Sequence, residues 1–305
     1  MEYKGKVAFI TGGANGAGLG QAKVFGRAGC RIFIVDIRKD ALDTAIAELR
    51  AEGIDAHGAE LDLTDREAYA RVADECEQVM GETPSFLFNT AGVNSFGPTE
   101  ASTYEDFDWL LGVNLGGVVN GMVTWVPRMI KAGKGGYIVS TSSLGAFGGG
   151  DGAAIYSAAK AAVVSLMESY NAALKKYGIG VSVLCPANIK SNIGRATEIR
   201  PAHLGKTGYV VNEETKKSLE SIHAHGKDPE ELAQNVKDAI ERDQLYIIPY
   251  PESKPMVEAR LQAIVDAVMP LEEDAEGARV RTEALMNWGK ERGGMFAAKS
   301  EDANA

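Results

Sequence analysis

The sequence predicts an α/β fold in which a doubly wound parallel sheet of about seven strands forms a single domain. Short segments that are apolar at nearly every position recur along the chain, as is typical of strands covered on both faces. Helical patterns lie between them, such as Leu42, Ala45, Ile46 and Leu49, whose spacing gives one apolar stripe. The predicted strands are Val7–Thr11, Arg31–Asp36, Ala56–Asp62, Phe86–Asn89, Tyr137–Thr141, Val181–Cys185 and Leu245–Ile248.

The composition of the 305-residue chain is that of a globular protein, with 45% hydrophobic and 24% charged residues. Its net charge of −10 disfavours a nucleic-acid partner, because an acidic surface repels the phosphate backbone. Cys30, Cys76 and Cys185 are odd in number and far apart, which favours a reducing compartment without disulfides. Since neither a signal peptide nor a long apolar run is recognised, we expect a cytoplasmic protein without a membrane span.

Residues 1–269 are predicted to form the main domain, and residues 270–305 a charged helical C-terminal extension. Within the main domain, a long connection over about 187–227 precedes a helix whose start is marked by Asp228, Pro229 and Glu231. These residues are typical of an N-cap, a first-turn proline and a capping-box carboxylate. Because connections of this length usually serve as binding loops, we predict a substrate lid over Ile189–Lys227 that becomes ordered when ligands bind.

A glycine-rich segment, TGGANGAGLG, follows the first predicted strand and opens the first helix. Gly12, Gly16 and Gly18 allow a tight turn that brings backbone N–H groups and the helix dipole to a pyrophosphate. By itself the cluster is also compatible with a plain tight turn. Asp36, however, lies 20 residues past Gly16 at the end of the second strand, where a carboxylate can bind a ribose diol. The two features together predict a Rossmann-type dinucleotide site.

The residues around Asp36 predict NAD rather than NADP as the cofactor. The carboxylate accepts hydrogen bonds from the ribose and would repel a 2′-phosphate. Asn15 and Ile37, near the expected site of a 2′-phosphate, are uncharged, and Arg38 is the nearby positive charge.

Tyr156 and Lys160 are four residues apart in a helical pattern, so both side chains lie on one helix face. Free tyrosine has a pKa of about 10, and a cation within about 4–6 Å lowers it by roughly 1–3 units. The pattern therefore predicts that Tyr156 acts as a base near neutral pH. Ser143 follows the predicted strand Tyr137–Thr141, where its hydroxyl can donate a hydrogen bond to the same substrate oxygen.

From the N-terminus to about Ile248 the chain resembles the short-chain dehydrogenase/reductase family. The resemblance implies an NAD-dependent alcohol dehydrogenase with Asn114, Ser143, Tyr156 and Lys160 as catalytic residues, in which Asn114 orders a water on the proton relay to Lys160. Six motifs carry it in the family's order: the glycine motif, FNTAG (Phe88–Gly92), Asn114, Ser143, YSAAK (Tyr156–Lys160) and PANIKS (Pro186–Ser191).

The same resemblance implies which residues bind the cofactor. Thr90 and Ala187 depart from the family pattern, which has Asn and Gly at these positions. Because family members usually assemble through the helices that carry Asn114 and Tyr156, we also expect a homodimer or homotetramer. The predicted cofactor-binding residues are Gly12, Ala14, Asn15, Gly16, Gly18, Asp36, Arg38, Asp62, Leu63, Asn89, Ala91, Gly92, Tyr156, Lys160, Pro186 and Ile189.

A narrower resemblance connects the chain with the Cα-dehydrogenases of bacterial lignin breakdown, which oxidise the benzylic secondary alcohol of β-aryl ether dimers to a ketone. It implies NAD-dependent oxidation of that alcohol, with Tyr156 as the acid–base residue. The segments that carry it are GVNSFGP (Gly92–Pro98), NGMVTWVPRMI (Asn120–Ile130), RPAHLGKTGYV (Arg200–Val210) and LYIIPYPE (Leu245–Glu252).

Phe96, Phe147 and Tyr209 are the aromatic residues expected to line the substrate site, and ordinary packing is the alternative for each ring.

Two other functions remain open, a carbonyl reductase or alcohol dehydrogenase for another aromatic or cyclic secondary alcohol, and a non-catalytic NAD-binding protein. We expect no metal, because His223 and His225 have no third ligand candidate and are best interpreted as solvated lid residues.

Overall fold

The computed structural model describes residues 1–210 and 212–292 and confirms the predicted sheet. In this part of the chain, seven parallel strands lie in the order β3-β2-β1-β4-β5-β6-β7. The third strand ends two residues earlier than predicted and the last strand has only two residues. The strands are β1 Val7–Thr11, β2 Arg31–Asp36, β3 Ala56–Glu60, β4 Phe86–Asn89, β5 Gly136–Thr141, β6 Ile179–Leu184 and β7 Tyr246–Ile247.

The helices alternate with the strands, as predicted. The apolar stripe of the second helix is confirmed, because Leu42, Ala45 and Leu49 are buried and Ile46 is half-buried. The helices are α1 Gly16–Arg27, α2 Lys39–Ala51, α3 Arg66–Met80, α4 Tyr104–Leu111, α5 Gly117–Ala132, α6 Ala154–Leu174, α7 Glu213–Ala224, α8 Pro229–Glu241, α9 Lys254–Asp266 and α10 Ala275–Arg292.

Alternate residues of each strand pack on opposite faces of the sheet and form two separate cores. Phe9 and Phe33, whose ring centroids are 5.7 Å apart, belong to the core covered by α3, α5 and α6. Ile10 and Ile34 belong to the core covered by α1, α2 and α8. The strands are therefore buried on both faces, which explains why their sequences are apolar without a two-residue period.

Asn114 lies in a π-helical turn, Gly112–Gly116, that joins α4 to α5. Such turns occur frequently at functional sites. By length and composition the continuous helix Tyr104–Ala132 could cross a membrane, which the sequence analysis did not foresee, but 56% of its most apolar window is buried inside the fold. Burial of this extent is typical of a core helix in a folded domain.

The long connection after β6 contains regular structure, namely a 3₁₀ segment at Asn192–Ile199 and then α7. The predicted start of α8 is confirmed, because the Asp228 carboxylate accepts hydrogen bonds from the backbone N–H groups of Glu230 and Glu231 at 2.9 and 3.5 Å. The capping-box role predicted for Glu231 is wrong, because its side chain pairs with Lys227 and not with the backbone N–H of Asp228. That this connection becomes ordered only when ligands bind stays a prediction.

The chain divides into two compact units, the first ending at Ser253 and the second beginning at Lys254. This division falls before the predicted domain boundary at residue 269, which stays a prediction. In the second unit, Arg279 of α10 forms ion pairs with Glu276 and Glu283, both at 2.6 Å. The predicted C-terminal extension is thus helical as far as residue 292, and its residues 293–305 lie outside the described residues.

Candidate active site

The carboxyl ends of the central strands open into a cavity of about 740 Å³. β1 has β2 on one side and β4 on the other, and open parallel sheets bind ligands where the strand order reverses in this way. The structure brings most of the predicted site residues to the cavity wall. They are Gly12, Asn15, Gly16, Gly18, Asp36, Arg38, Asp62, Leu63, Ala91, Gly92, Phe96, Ser143, Tyr156, Lys160, Pro186 and Ile189.

The glycine loop between β1 and α1 is folded as tightly as a dinucleotide site requires. Gly12 has a φ of +65°, and a Cβ on it would lie 2.8 Å from the Cα of Ala91. A Cβ on Gly18 would lie 2.2 Å from the carbonyl oxygen of Gly12. A side chain on Gly12 would push the loop away from Ala91, and one on Gly18 would push it away from the start of α1. The loop and the N-terminal N–H groups of α1 therefore fit a pyrophosphate.

Asp36, at the end of β2, is 8% exposed and faces the cavity. Its carboxylate accepts hydrogen bonds from the backbone N–H groups of Ala14 and Arg38, at 3.4 and 3.1 Å. The guanidinium of Arg38 lies against the same carboxylate, with Nε 3.2 Å from Oδ1. Arg38, whose charge would favour a 2′-phosphate, is thus paired with Asp36, whose charge would disfavour it. Ala14 takes part through its backbone, behind the cavity wall.

Asn89 lies behind the cavity wall, where its Nδ2 donates a hydrogen bond to Ser140 Oγ at 3.1 Å. Thr90, which departs from the family pattern, donates from its hydroxyl to Gln21 Oε1 at 2.6 Å. The backbone N–H of Thr90 donates to Thr11 Oγ1 at 2.9 Å. The threonine therefore keeps this segment bonded to the neighbouring strand and helix, and a contact between Asn89 and the cofactor stays a prediction.

Tyr156 and Lys160 meet on one face of α6 as predicted, with Lys160 Nζ 5.7 Å from the centroid of the tyrosine ring. Nζ donates a hydrogen bond to the carbonyl oxygen of Thr141 at the end of β5, at 3.0 Å. Ser143 is hydrogen-bonded to the Tyr156 phenol, and its Oγ accepts the N–H of Gly145 at 3.0 Å. Since Ser143 accepts that N–H, its own hydroxyl hydrogen remains available for Tyr156 or a substrate oxygen.

Asn114 is fully buried, and its amide is held by the backbone of Val93. Its Oδ1 accepts the N–H of Val93 at 3.0 Å, and its Nδ2 donates to the carbonyl of Val93 at 2.9 Å. A Cβ on Gly92 would lie 2.9 Å from Asn114 Oδ1 and 3.4 Å from Lys160 Nζ. Both polar groups therefore border Gly92, an arrangement that fits the proton relay, which itself stays a prediction.

The expected lowering of the Tyr156 pKa is wrong as far as the chain's own groups are concerned. Burial raises the pKa of the Tyr156 phenol, and its hydrogen bond with Ser143 offsets only part of that rise. Burial also lowers the pKa of Lys160 to about 8, because a buried ammonium loses its hydration. The sequence spacing showed that the two groups are neighbours but carried no information on their burial.

Of the three aromatic residues expected around the substrate, Phe96 lies on the cavity wall, with its ring edge-on to Tyr156 at 5.5 Å. The other two assignments are corrected by the structure. Phe147 packs against the core covered by α3, α5 and α6. Tyr209 is buried beside α4, and its hydroxyl lies 2.7 Å from Ser102 Oγ.

Some cavity residues on α4 and in the predicted lid were not predicted from the sequence. Trp109 of α4 lines the cavity although it is only 4% exposed. His223 of α7 also lines the cavity, and burial lowers its pKa, which corrects its interpretation as a solvated residue. Leu219 and Ile222 line the cavity beside it and are spaced as on one helix face, a signal that could have found this wall.

Among residues 1–210 and 212–292, no three or more His, Cys, Asp or Glu side chains are grouped so that they could hold a metal ion. His225 instead has its Nδ1 2.8 Å from the carbonyl oxygen of Ser221. The expected absence of a metal stays a prediction.

Comparison with known proteins establishes the family. The family described as short chain dehydrogenase matches residues 6–201, which is more than half of the chain. The chain belongs to the short-chain dehydrogenase family. The resemblance in its motifs is thereby confirmed, and so are the predicted fold class and its nature as a dehydrogenase.

Three relatives of this short-chain dehydrogenase extend the comparison. A protein named C alpha-dehydrogenase, from Sphingobium sp. (strain NBRC 103272 / SYK-6), is 60% identical over 296 residues, 97% of each chain. The crystal structure of LigD in its apo form, from Sphingobium sp. strain SYK-6, is 52% identical, with a TM-score of 0.75 over 88% of this chain and 99% of that one. A short chain dehydrogenase/reductase from Burkholderia phymatum, in complex with NAD, is 30% identical, with a TM-score of 0.83 over 88% and 98%.

Replacing Lys160 by Met should stabilise the fold at pH 7 while abolishing activity. The pKa of Lys160 is about 8 in the folded chain and 10.5 in the unfolded chain. The unfolded chain therefore binds the proton of the Lys160 ammonium more tightly. The lysine therefore opposes folding below pH 8, and this opposition fades as the pH rises towards 10.5. The gain in the free energy of unfolding, measured with urea, should reach up to about 3 kcal/mol, less the loss of the Thr141 hydrogen bond.

The matched control is Lys134→Met, which removes a surface ion pair with Glu82 (2.7 Å) and should leave stability almost unchanged. The difference between Lys160→Met and the wild type should shrink when both are unfolded at pH 10. A Lys160→Met variant less stable than the wild type at pH 7 would show that the ammonium contributes net stability.

Proposed function

We propose that this short-chain dehydrogenase uses NAD to oxidise the benzylic (Cα) secondary alcohol of lignin-derived β-aryl ether dimers to the ketone. The observation that carries the proposal is the 60% identity, over 97% of the chain, to a protein named C alpha-dehydrogenase. That matched length extends beyond the cofactor motifs and covers the connection after β6, which lines the cavity.

The cavity supports this substrate class by its extent and its lining. It runs from Asp36 to the wall formed by Leu204 and α7. Phe96 and Trp109 are aromatic residues on its wall, beside aliphatic ones. Binding sites for small aromatic molecules have this character, an apolar wall with a few polar groups that fix orientation. The wall is therefore suited to hold two aromatic rings.

The residues present fit NAD. The glycine loop would hold the pyrophosphate, Asp36 the ribose diol of the adenosine, and Lys160 the ribose beside the nicotinamide. Bound NAD supplies a hydride acceptor and a positive charge next to the phenol of Tyr156. Because burial raises the pKa of Tyr156, its base form depends on the positive charges placed beside it.

The chain's own residues then have distinct tasks at the substrate alcohol. Tyr156 removes the hydroxyl proton, and Ser143 donates a hydrogen bond to the same oxygen. Lys160 and Asn114 both border Gly92, which supports the relay that returns the proton to solvent. The edge of Phe96 against Tyr156 keeps the phenol in place and shields it from water.

We also propose that the enzyme is a homodimer or homotetramer that assembles through the helices carrying Asn114 and Tyr156. Exposed side chains on the two helices that Asn114 joins support this proposal. Tyr104 of α4 is 87% exposed and Val123 of α5 is 63% exposed, although both are large and at least partly apolar. An interface at this place would remove them from water.

A guaiacylglycerol ether dimer should be oxidised with a higher kcat/KM than a one-ring benzylic alcohol, and a simple aliphatic alcohol should be the poorest substrate. Two bound rings orient the alcohol, and a misplacement of about 1 Å costs about 100-fold in rate. NAD reduction followed by absorbance measures all three, with each stereochemical form of the dimer. Comparable efficiency on the three alcohols would disprove recognition of the second ring. No turnover of either form would leave a general alcohol dehydrogenase.

The wild type should use NAD far more efficiently than NADP, and Asp36→Ala should narrow that difference. The substitution removes the ribose contact, a charged hydrogen bond worth about 10-fold or more, and frees Arg38 for a 2′-phosphate. Asp36→Ala combined with Arg38→Ala is the matched control, which should lose NAD efficiency without gaining NADP efficiency. Equal kcat/KM for the two cofactors in the wild type would contradict the assignment.

Tyr156→Phe should lower turnover by about 10²–10⁴-fold while NAD still binds, because the ring remains but the proton acceptor is lost. In the wild type the rate of alcohol oxidation should rise as the pH increases above neutral, since the raised pKa of Tyr156 delays formation of its base form. The Phe variant should lack this rise. Binding is measured by titration with NAD, and near-normal turnover of Tyr156→Phe would mean that another residue is the base.

A further inference from the structure

A buried ion pair ties the connection after β6 to α4. The side chain of Asp106 is completely buried and that of Arg200 is 9% exposed, with Arg200 Nη1 2.9 Å from Asp106 Oδ1. Asp106 belongs to the first turn of α4, whereas Arg200 follows the 3₁₀ segment Asn192–Ile199. Removing one partner of such a pair leaves an uncompensated buried charge, so the contact resists separation.

Asp106 also fixes backbone on both sides of the pair. Its Oδ2 accepts the N–H of Thr103, which closes the start of α4, at 3.0 Å, and the N–H of Gly208 at 3.2 Å. Burial by itself raises the pKa of Asp106, but hydrogen bonds from Thr103, Thr207 and Gly208 and the charge of Arg200 outweigh it and lower the pKa. The carboxylate therefore stays charged.

Arg200 fixes the backbone that follows it. Its Nε donates a hydrogen bond to the carbonyl oxygen of Gly205 at 3.2 Å, and its Nη2 points to the carbonyl oxygen of Leu204 at 3.4 Å. Its guanidinium lies over the ring of Trp109, 5.4 Å from the centroid. One side chain thus holds a turn of the lid and an aromatic ring of α4 together.

Close packing on the far side of this turn keeps it against the segment that precedes α4. A Cβ on Gly208 would lie 1.8 Å from the carbonyl oxygen of Ala101, so the two backbones touch. A Cβ on Gly97 would lie 2.4 Å from the ring of Tyr209. The part of the predicted lid from Arg200 to Tyr209 is consequently anchored to the body of the fold.

The anchored turn carries part of the cavity wall. Pro201, His203 and Leu204 line the cavity, as does Trp109 beneath the Arg200 guanidinium. None of these four residues belongs to the acid–base group or to the predicted cofactor set. They are therefore available to contact the part of a substrate beyond its reacting alcohol carbon.

We propose that the Asp106–Arg200 pair is a positioning device that sets the preference for a two-ring over a one-ring substrate, by holding Trp109 and the turn Pro201–Leu204 in place. Asp106 and Arg200 do not line the cavity and act only through the wall they hold. The identity of the second ring rests on the proposed function, whereas the positioning of the wall does not depend on it.

Two variants test this proposal. Arg200→Met removes the tether and leaves Asp106 unpaired, and Arg200→Met with Asp106→Asn removes both charges while an amide oxygen remains for Gly208. In both, KM for the guaiacylglycerol ether dimer should rise about 10-fold or more, with a smaller change in kcat. The kcat/KM for a one-ring benzylic alcohol should change little. The double variant leaves no unpaired buried charge, so a loss that it shares with Arg200→Met does not arise from an unpaired Asp106.

Trypsin cleavage after Lys206 provides a readout that does not need turnover. Lys206 is exposed within the anchored turn, so cleavage there should rise in both variants and stay at the wild-type level in Lys134→Met, the surface control. A folded double variant that keeps the wild-type ratio of kcat/KM for the two alcohols overturns the proposed preference. Unchanged cleavage at Lys206 overturns the positioning role. Increased cleavage in a protein whose wild type does not oxidise the dimer supports the positioning role and refutes the proposed function.

Discussion

The catalytic end of the sheet depends on how an ammonium group is buried between α6 and β5. Lys160 is 3% exposed, and its Nζ donates to the carbonyl oxygen of Thr141. The hydroxyl of Ser142 in turn donates a hydrogen bond to the backbone carbonyl of Lys160 at 2.7 Å. A buried charge without such partners would destabilise the fold by several kcal/mol or lose its proton. These two hydrogen bonds fix α6 relative to the end of β5. They thereby fix the positions of Tyr156 on α6 and of Ser143 after β5.

This arrangement is stable because β5 is a central strand. Thr141 pairs with Leu184 of β6, and Phe86 of β4 pairs with Tyr137, so β5 is held from both sides. The sequence predicts this architecture well, since strands buried on both faces are apolar at nearly every residue. It does not predict where pairing stops. β3 ends at Glu60 and β7 comprises only Tyr246–Ile247, because strand length at a sheet edge depends on the neighbouring strand.

In the site, too, features that depend on residues close in sequence could be predicted, whereas features that depend on burial or on distant contacts could not. The glycine loop and the pair Tyr156 and Lys160 are local motifs, whose geometry follows from neighbours in sequence, and the structure places them as expected. The direction of the Tyr156 pKa follows from burial, which no spacing encodes. Phe147 follows a strand end and Tyr209 lies in the predicted lid. Contacts distant in sequence nevertheless pack Phe147 against the core and place the Tyr209 hydroxyl against Ser102.

α4 connects the two parts of the site that sequence motifs describe separately. Its first turn carries Asp106, which holds the lid, and its end leads directly into the π-helical turn that carries Asn114. Asn114 is fixed to Val93, and Trp109 lies between the two ends with Arg200 on its ring. α4 therefore carries a residue of the cavity wall and leads into the turn that holds Asn114. Because the buried Asp106 carboxylate accepts the N–H groups of both Thr103 and Gly208, the start of α4 and the turn after Arg200 are fixed relative to each other.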